Sequence, residues 1–304
     1  VRRQEPDDIE QLDERSSKVL VAFAKDALNG RTCMEPIMLQ TLIAENSVSV
    51  QQCKELVSEK AGCLATDRHI ESAVRSVNLQ FMREKVNGNL VPIGEALGLK
   101  LVERKGDRLE LTAQFNELLR NSTFHQFLTD SIAYSLGSFL DGFDPTSMVD
   151  GFVRYRKYTR ADVFQILGFA QNPVGLNVGG YMVAPDESSC PIFITYHKSD
   201  AIPEATMYKD RFNNPGSMHW FSKNNRTLQS PEIAYLRTLK PPRRAPLFVQ
   251  KNNDEGRSFY YLGDVRPDVE SFYQDKMQDG SPVVRMDLNL DTPVSESLYT
   301  YLTG

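Results

Sequence analysis

The chain has one tryptophan, four cysteines and four histidines in 304 residues, and each scarcity excludes something. Cys33, Cys53, Cys63 and Cys190 show no CxxC spacing and the histidines are scattered, so a zinc site has no ligand pattern to rest on. Reduced, partly buried thiols in the cytoplasm are the reading that remains. No apolar run approaches the ~18 residues of a membrane-crossing helix. The opening Val1-Arg2-Arg3-Gln4-Glu5-Pro6 leads into no apolar secretory core. With no initiator Met, the chain reads as a piece of a longer protein or as a processed mature chain. A basic excess is missing as well: 35 Lys and Arg stand against 40 Asp and Glu, a net charge of −5. A protein that coats nucleic acid with its whole surface is thereby excluded. Any such binding has to come from a local basic patch on an acidic body.

Signatures of catalysis are absent too. There is no Gly-x-Ser-x-Gly elbow and no Cys–His pairing. The glycine-rich stretch Asn172–Gly180 lacks the Lys-Ser/Thr that closes a phosphate loop, and reads as a bend where backbones approach closely. Pro185-Asp186, taken with Thr195-Tyr196-His197-Lys198, is the nearest match to a metal-nuclease pattern, but its second carboxylate is missing. Asp186, Glu187, His197, His219 and Asn225 are the residues an unfamiliar metal-dependent nuclease would use. No catalytic residue and no cofactor is assigned to this chain.

What is present is a globular composition, 40% hydrophobic and 25% charged, in a chain long enough for two cores. The spacing of apolar residues predicts helices over 9–28, from Pro36 on, over 50–60 with Ser47 or Ser49 as cap, and from Thr66 or Asp67 through Phe81. A hairpin is expected around Lys105-Gly106-Asp107, then a helix from Thr112 and a long one over 122–140. Three short helices followed by a hairpin is the order of a winged helix. Its third helix offers Arg68, His69 and Arg75 against Asp67 and Glu71, a nearly neutral face. Near Asp141–Pro145 the helical pattern stops and Gly, Pro, Tyr and Asn increase. The expected fold class is therefore α+β: a helical, winged-helix-like domain over 1–147, then a β-rich, partly closed barrel-like domain over 148–304.

The second half is organised around Cys190–Glu232. Strands are expected at 178–183, 191–196, 207–212, 217–221, 247–251, 258–265 and 283–290, with turns at Asn213–Gly216 and Asn252–Gly256. Ser230-Pro231-Glu232 reads as a helix start with a capping hydroxyl. The tip after Trp220-Phe221 carries cations, amides and hydroxyls but little acid, a mixture suited to phosphate and base edges. Arg154–Arg160 adds four cations and two tyrosines without an acid. The candidate DNA-binding residues are Arg154, Arg156, Lys157, Arg160, His197, Lys198, Lys209, Arg211, His219, Trp220, Lys223, Asn225 and Arg226. Tyr208, Phe212, Trp220 and Phe221 are the aromatics that would line a base pocket; ordinary core is the competing reading for them.

The segments YRKYTRADVFQILGF, GLNVGGY, CPIFITYHKS, HWFSKNNRTLQSPEI and FYYLGDV resemble the uncharacterised C-terminal domain of bacterial superfamily-two DEAD/DEAH-type helicases, over residues 150–304. Many such helicases also carry a phospholipase-D-type nuclease domain. The resemblance implies a restriction or phage-defence machine acting on DNA, with helicase and nuclease domains of the parent protein as partners. It supplies no catalytic residue, because this chain has no Walker A lysine, DEAH box or HxK motif. The reading is thus a DNA-sensing end without its engine. A protein-docking module, or one closing a homo-oligomer through an apolar patch, is the alternative.

Overall fold

The computed structural model describes residues 11–197, 210–277 and 279–304. They form two compact units. One runs to Val153 and includes Phe164–Asn172; the other holds Arg154–Val163 and the residues from Pro173 on.

In the first unit, helix α1 (Glu14–Ala22) runs into a π-helical turn, Phe23–Ala27, and is followed by α2 (Met34–Glu45). Next come strand β1 (Ser47–Ser49), α3 (Val50–Ala61) and α4 (Asp67–Val77). A hairpin, β2 (Arg83–Val86) and β3 (Asn89–Pro92), leads through the short α5 (Ile93–Ala96) to a second, β4 (Val102–Lys105) and β5 (Arg108–Leu111). Helices α6 (Ala113–Arg120) and α7 (Ser122–Leu140) and the small hairpin β6 (Met148–Val149), β7 (Phe152–Val153) complete it. Strand β5 pairs antiparallel with both β1 and β4. Helix, strand, two helices and a wing hairpin are thus joined as in a winged helix.

Local chemistry explains the helix ends. Ser49 accepts from the Gln52 N–H at 3.0 Å to start α3, and Gly62, at φ 65°, stops it in the left-handed region. Thr66 caps α4 reciprocally with His69, which takes the place an acid usually fills in this motif. Asn78 follows α4 and locks it to the wing: its side chain donates to Val102 O and accepts from the Leu101 and Val102 N–H groups, at 2.7–2.9 Å. Two expectations need correction. Helix α4 ends at Val77, so Phe81 lies beyond it, and β2–β3 was not anticipated. Asn87 and Gly88 turn that hairpin at φ 50° and 86°, where an Asn-Gly pair carries little strain.

In the second unit, β8 (Lys157–Thr159) leads into α8 (Arg160–Ile166), whose second half falls in the first unit, and α9 (Gly175–Val178) opens the remainder. The strands are β9 (Ile192–His197), β10 (Arg211–Asn214), β11 (Ser217–Phe221), β12 (Pro246–Asn252), β13 (Ser258–Pro267), β14 (Tyr273–Lys276) and β15 (Pro282–Leu290). Helix α10 (Pro231–Arg237) lies between β11 and β12, and α11 (Glu296–Thr303) ends the chain. The sheet runs β10-β11-β15-β13-β12-β9, with β14 on β15 and β8 on β13, and curls into a half-barrel. Strands β9 and β12 pair in parallel, and every other strand pairing among the described residues is antiparallel. Its core includes Ile192, Ile194, Met218, Trp220, Leu247, Val249, Val284, Met286 and Leu288.

Here too the strand pattern needs adjustment. Residues 178–183 form no strand: α9 ends there, Gly179 and Gly180 turn at φ 49° and 101°, and only Tyr181 bridges to Ile192. Of the strand expected over 207–212, residues up to 209 lie outside the described ones, and the described strand starts at Arg211. Pro231 does open α10, but the Ser230 hydroxyl caps nothing; it accepts from the Thr227 N–H at 2.9 Å. All four cysteines are buried and none forms a disulfide among the described residues, and burial pushes the Cys190 thiol up to about 12. Among the described residues, no helix is long and apolar enough to cross a membrane.

Candidate functional site

The second unit contains an open cavity of about 480 Å³, within the size range of small-ligand sites. Strand β9 supplies Phe193 and Thr195, β11 supplies Trp220 and Phe221, and the segment after it supplies Ser222, Lys223, Asn224 and Arg226. Arg160, Gly179–Tyr181, Asp210 and Asn253 close the wall. The aromatic rings brace one another: Trp220 meets Tyr181 edge-on at 5.1 Å, and Phe193 stacks on Phe248 at 5.3 Å.

The loop after β11 is held firmly. Ser222 exchanges hydrogen bonds with Val284, through backbone and hydroxyl, at 2.8 and 2.9 Å. The Arg226 N–H donates to Pro282 O at 3.1 Å, and Gln274 bridges Leu228 N–H and Arg226 O at 3.0 and 3.2 Å. These contacts leave the loop's side chains aimed by backbone geometry instead of by chance. Lys223 lies over the Tyr181 ring at 4.5 Å and against Gly179, where a Cβ would come within 3.2 Å of the lysine Cε. The glycine pair thus makes the expected bend, but what approaches Gly179 closely is a side chain and not a second backbone. Burial, then repulsion from Arg226, lowers the Lys223 pKa. Arg226 pairs with Glu232 at 2.5 Å; burial opposes the carboxylate's charge, but backbone and Arg226 hydrogen bonds hold its pKa below the ordinary value.

Of the residues singled out in the sequence, the cavity brings together Arg160, Trp220, Phe221, Lys223 and Arg226. Arg154 is elsewhere, donating to the carbonyls of Leu262, Thr292 and Pro293. Lys157 pairs with Glu255 at 3.1 Å, and the Arg156 carbonyl accepts from the Tyr261 N–H. His197 sits exposed at the end of β9, edge-on to Tyr196 at 5.0 Å. Arg211 is exposed on β10, opposite His219, whose Nδ1 lies 2.7 Å from its cross-strand partner Asp287. Asn225 is exposed at φ 60°, and the cavity is lined by its neighbour Asn224. Lys198, Lys209 and Tyr208 lie outside the described residues. Phe212 belongs to the core, stacked on Tyr196 at 5.6 Å. Tyr181, Phe193, Asp210 and Asn253 were not among the candidate site residues, although Tyr181 lies in GLNVGGY, Phe193 in CPIFITYHKS and Asn253 in the expected turn.

The third helix of the winged-helix unit is committed internally. Arg68 holds Asp150 with both contacts at 2.6 Å, and Arg75 donates to Gly168 O at 2.9 Å. Ser72 bonds to Gln165 O, His69 is buried, and the exposed Asp67 and Glu71 pair with Lys54 and Arg104. Asp186, a candidate nuclease residue, accepts from Ser188 in a turn. Among the described residues, no three His, Cys, Asp or Glu side chains gather as a metal-holding group.

Comparison with known proteins gives matches without a function. Residues 152–302 match a family described as a domain of unknown function (DUF3427), and residues 1–139 match another (DUF8090). No curated protein matches the chain. Among solved structures, the SUVH5 SRA complex with hemi-methylated CG DNA is similar at 11% identity and a TM-score of 0.31, over 46% of this chain and 88% of that one. The SUVH5 SRA complex with methylated CHH DNA gives 13% and 0.32, over 49% and 96%. Arabidopsis thaliana SUVH6 in complex with SAM gives 13% and 0.35, over 93% and 41%. Scores this low do not establish a common fold.

Proposed function

We propose that the second unit binds nucleic acid, DNA in the first instance, by seating an unstacked nucleotide in the cavity between Arg160 and the Trp220–Arg226 segment. One observation carries this reading: a single open cavity combines four aromatic rings with three cations and one carboxylate. Aromatic faces stack bases of any identity, and cations hold the phosphates beside them. Asn224, Ser222, Thr195 and Asn253 add the donors and acceptors that a base edge requires. The first unit has a supporting role in this proposal, since α4 offers no uncommitted cation for a groove among the described residues. The helicase-type motor, and the restriction or defence setting implied by the sequence motifs, would belong to other domains, with this chain as their DNA-reading end.

Trp220 is the only tryptophan and lines the cavity, so its emission reports occupancy directly. Titration with single-stranded, duplex and base-modified duplex DNA at several salt concentrations should change that emission saturably. Affinity should fall with salt by a log–log slope of about −2 to −4, for the few phosphates such a cavity mouth can reach. DNA binding without any change at Trp220 would move the interface elsewhere. No DNA binding at low salt would end the proposal.

A further inference from the structure

The three cations lining the cavity are not equivalent. Arg226 is answered by Glu232, and Lys223 lies on the Tyr181 ring. Arg160 has neither an acid nor an acceptor among the described residues. Its guanidinium lies over the rings of Phe193 and Phe259, at 5.3 and 5.4 Å, while its Nε is buried without a hydrogen-bond partner. Ring faces attract a cation but do not satisfy a planar fork of N–H donors. With Nε enclosed, the terminal N–H groups are the donors a ligand oxygen can reach, and no described residue accepts from them. Burial lowers the pKa of this guanidinium. The carboxylate in the cavity wall, Asp210, has its Oδ1 on the Phe221 N–H at 3.2 Å.

We propose that the cavity admits an anionic group of the nucleotide itself, with a pair of phosphate or carboxylate oxygens on Arg160, and therefore selects a charged nucleotide over a neutral nucleoside of the same base. The inference rests on the nucleotide-binding reading above and adds the class of ligand. A guanidinium presents two parallel N–H groups that match two oxygens of either acid. Two sources carry that chemistry: the phosphate of the seated nucleotide, or a carboxylate borne on its base. Asn224, Thr195 and Lys223 are positioned in the same wall to hold the rest of the ligand.

The test is Trp220 emission in the full chain, titrated at low salt with deoxycytidine, deoxycytidine 5′-monophosphate and 5-carboxydeoxycytidine. At least one anionic ligand should bind about tenfold more tightly than deoxycytidine, the scale of one charge-assisted hydrogen-bonded pair. Arg160→Gln should reduce that advantage to within about twofold, and Arg160→Lys, which keeps the charge, should retain part of it. A gain for the monophosphate alone assigns the phosphate, and a gain for the carboxylated nucleoside alone assigns the base. Equal affinity for all three ligands overturns the inference and leaves nucleotide binding intact. So does a tenfold preference that survives in a folded Arg160→Gln chain. If Arg160→Gln does not fold, the wild-type comparison and Arg160→Lys decide. If none of these ligands and no oligonucleotide binds, both readings fall.

Discussion

Arg154 offers the sharpest test of how charge is used in the second unit. Its Nε donates to Leu262 O at 3.1 Å, and its Nη2 to Thr292 O and Pro293 O at 2.7 and 2.6 Å. The guanidinium also covers the Tyr155 ring at 4.7 Å, and the Tyr155 hydroxyl accepts from the Ser295 N–H at 2.8 Å. Together these contacts fasten the segment that leads into α11. A hydrogen bond from a charged group contributes about 1.5–3 kcal/mol. Two of the three are exposed and all share one side chain, so they do not add; Arg154→Ala should cost about 2–3 kcal/mol in total. Followed by Trp220 emission, which reports this unit alone, urea unfolding with a slope of about 2 kcal/mol/M should lose about 1–1.5 M in midpoint. The salt slope for DNA should not change, because these N–H groups are spent on carbonyls. An unchanged midpoint, with a slope flatter by about one unit, would show that Arg154 holds a phosphate and refute the reasoning.

Burial raises the pKa of Glu35, which accepts from Thr32 and Gln165 at 2.8 and 2.9 Å. The folded state then holds this proton more tightly than the unfolded one, so this contribution to stability is full below the unfolded pKa and declines as pH rises through the folded value. Thermal melting of the first unit between about pH 4 and 8 should show the decline, and Glu35→Gln should flatten it. At Gly94 a Cβ would lie 2.2 Å from Asn78 O, so Gly94→Ala must displace the backbone that staples α4 to the wing. It should destabilise that unit by about 2–3 kcal/mol in chemical denaturation, and an unchanged midpoint would contradict the contact. Asn225→Gly should be tolerated and Asn225→Ala should cost about 1 kcal/mol, from the left-handed backbone alone. Neither should alter nucleotide affinity, whereas Asn224→Ala should weaken it several-fold in the Trp220 titration.

Much of the fold could be read from local chemistry because local chemistry decides it. Ser49, Thr66 and Thr112 each cap the helix placed after them, and the long helix spans Ser122–Leu140 as expected. Turns at Pro215-Gly216 and around Asn253 join the strands that the apolar runs indicated. Errors arose where one signal outweighed another. Val178–Val183 has the apolar residues of a strand, but two glycines at positive φ turn the chain inside it. The β2–β3 hairpin was hidden because its exposed strands, REKV and NLVP, lack an alternating apolar face, although Asn87-Gly88 marks the turn.

The cavity is harder to read, since its residues come from segments near 160, 180, 194, 221 and 253 that share no local pattern. Trp220, Lys223 and Arg226 stood out as a cluster, but Gln274, which clamps their loop, gives no sign of it in sequence. The Arg154–Arg160 run shows why charge density along a chain is a poor map of charge density in space. The run is not one extended segment: the backbone turns at Tyr155 (φ 67°), β8 covers only Lys157–Thr159, and α8 begins at Arg160. Arg154 therefore reaches carbonyls, Lys157 reaches Glu255, and Arg160, at the first residue of α8, faces the cavity. Four cations in seven residues do not make one patch. In the cavity the arrangement is the reverse: Arg160 and the Lys223–Arg226 pair, far apart in sequence, converge on four uncharged rings, and the proposed ligand would complete the one guanidinium that has no acceptor among the described residues.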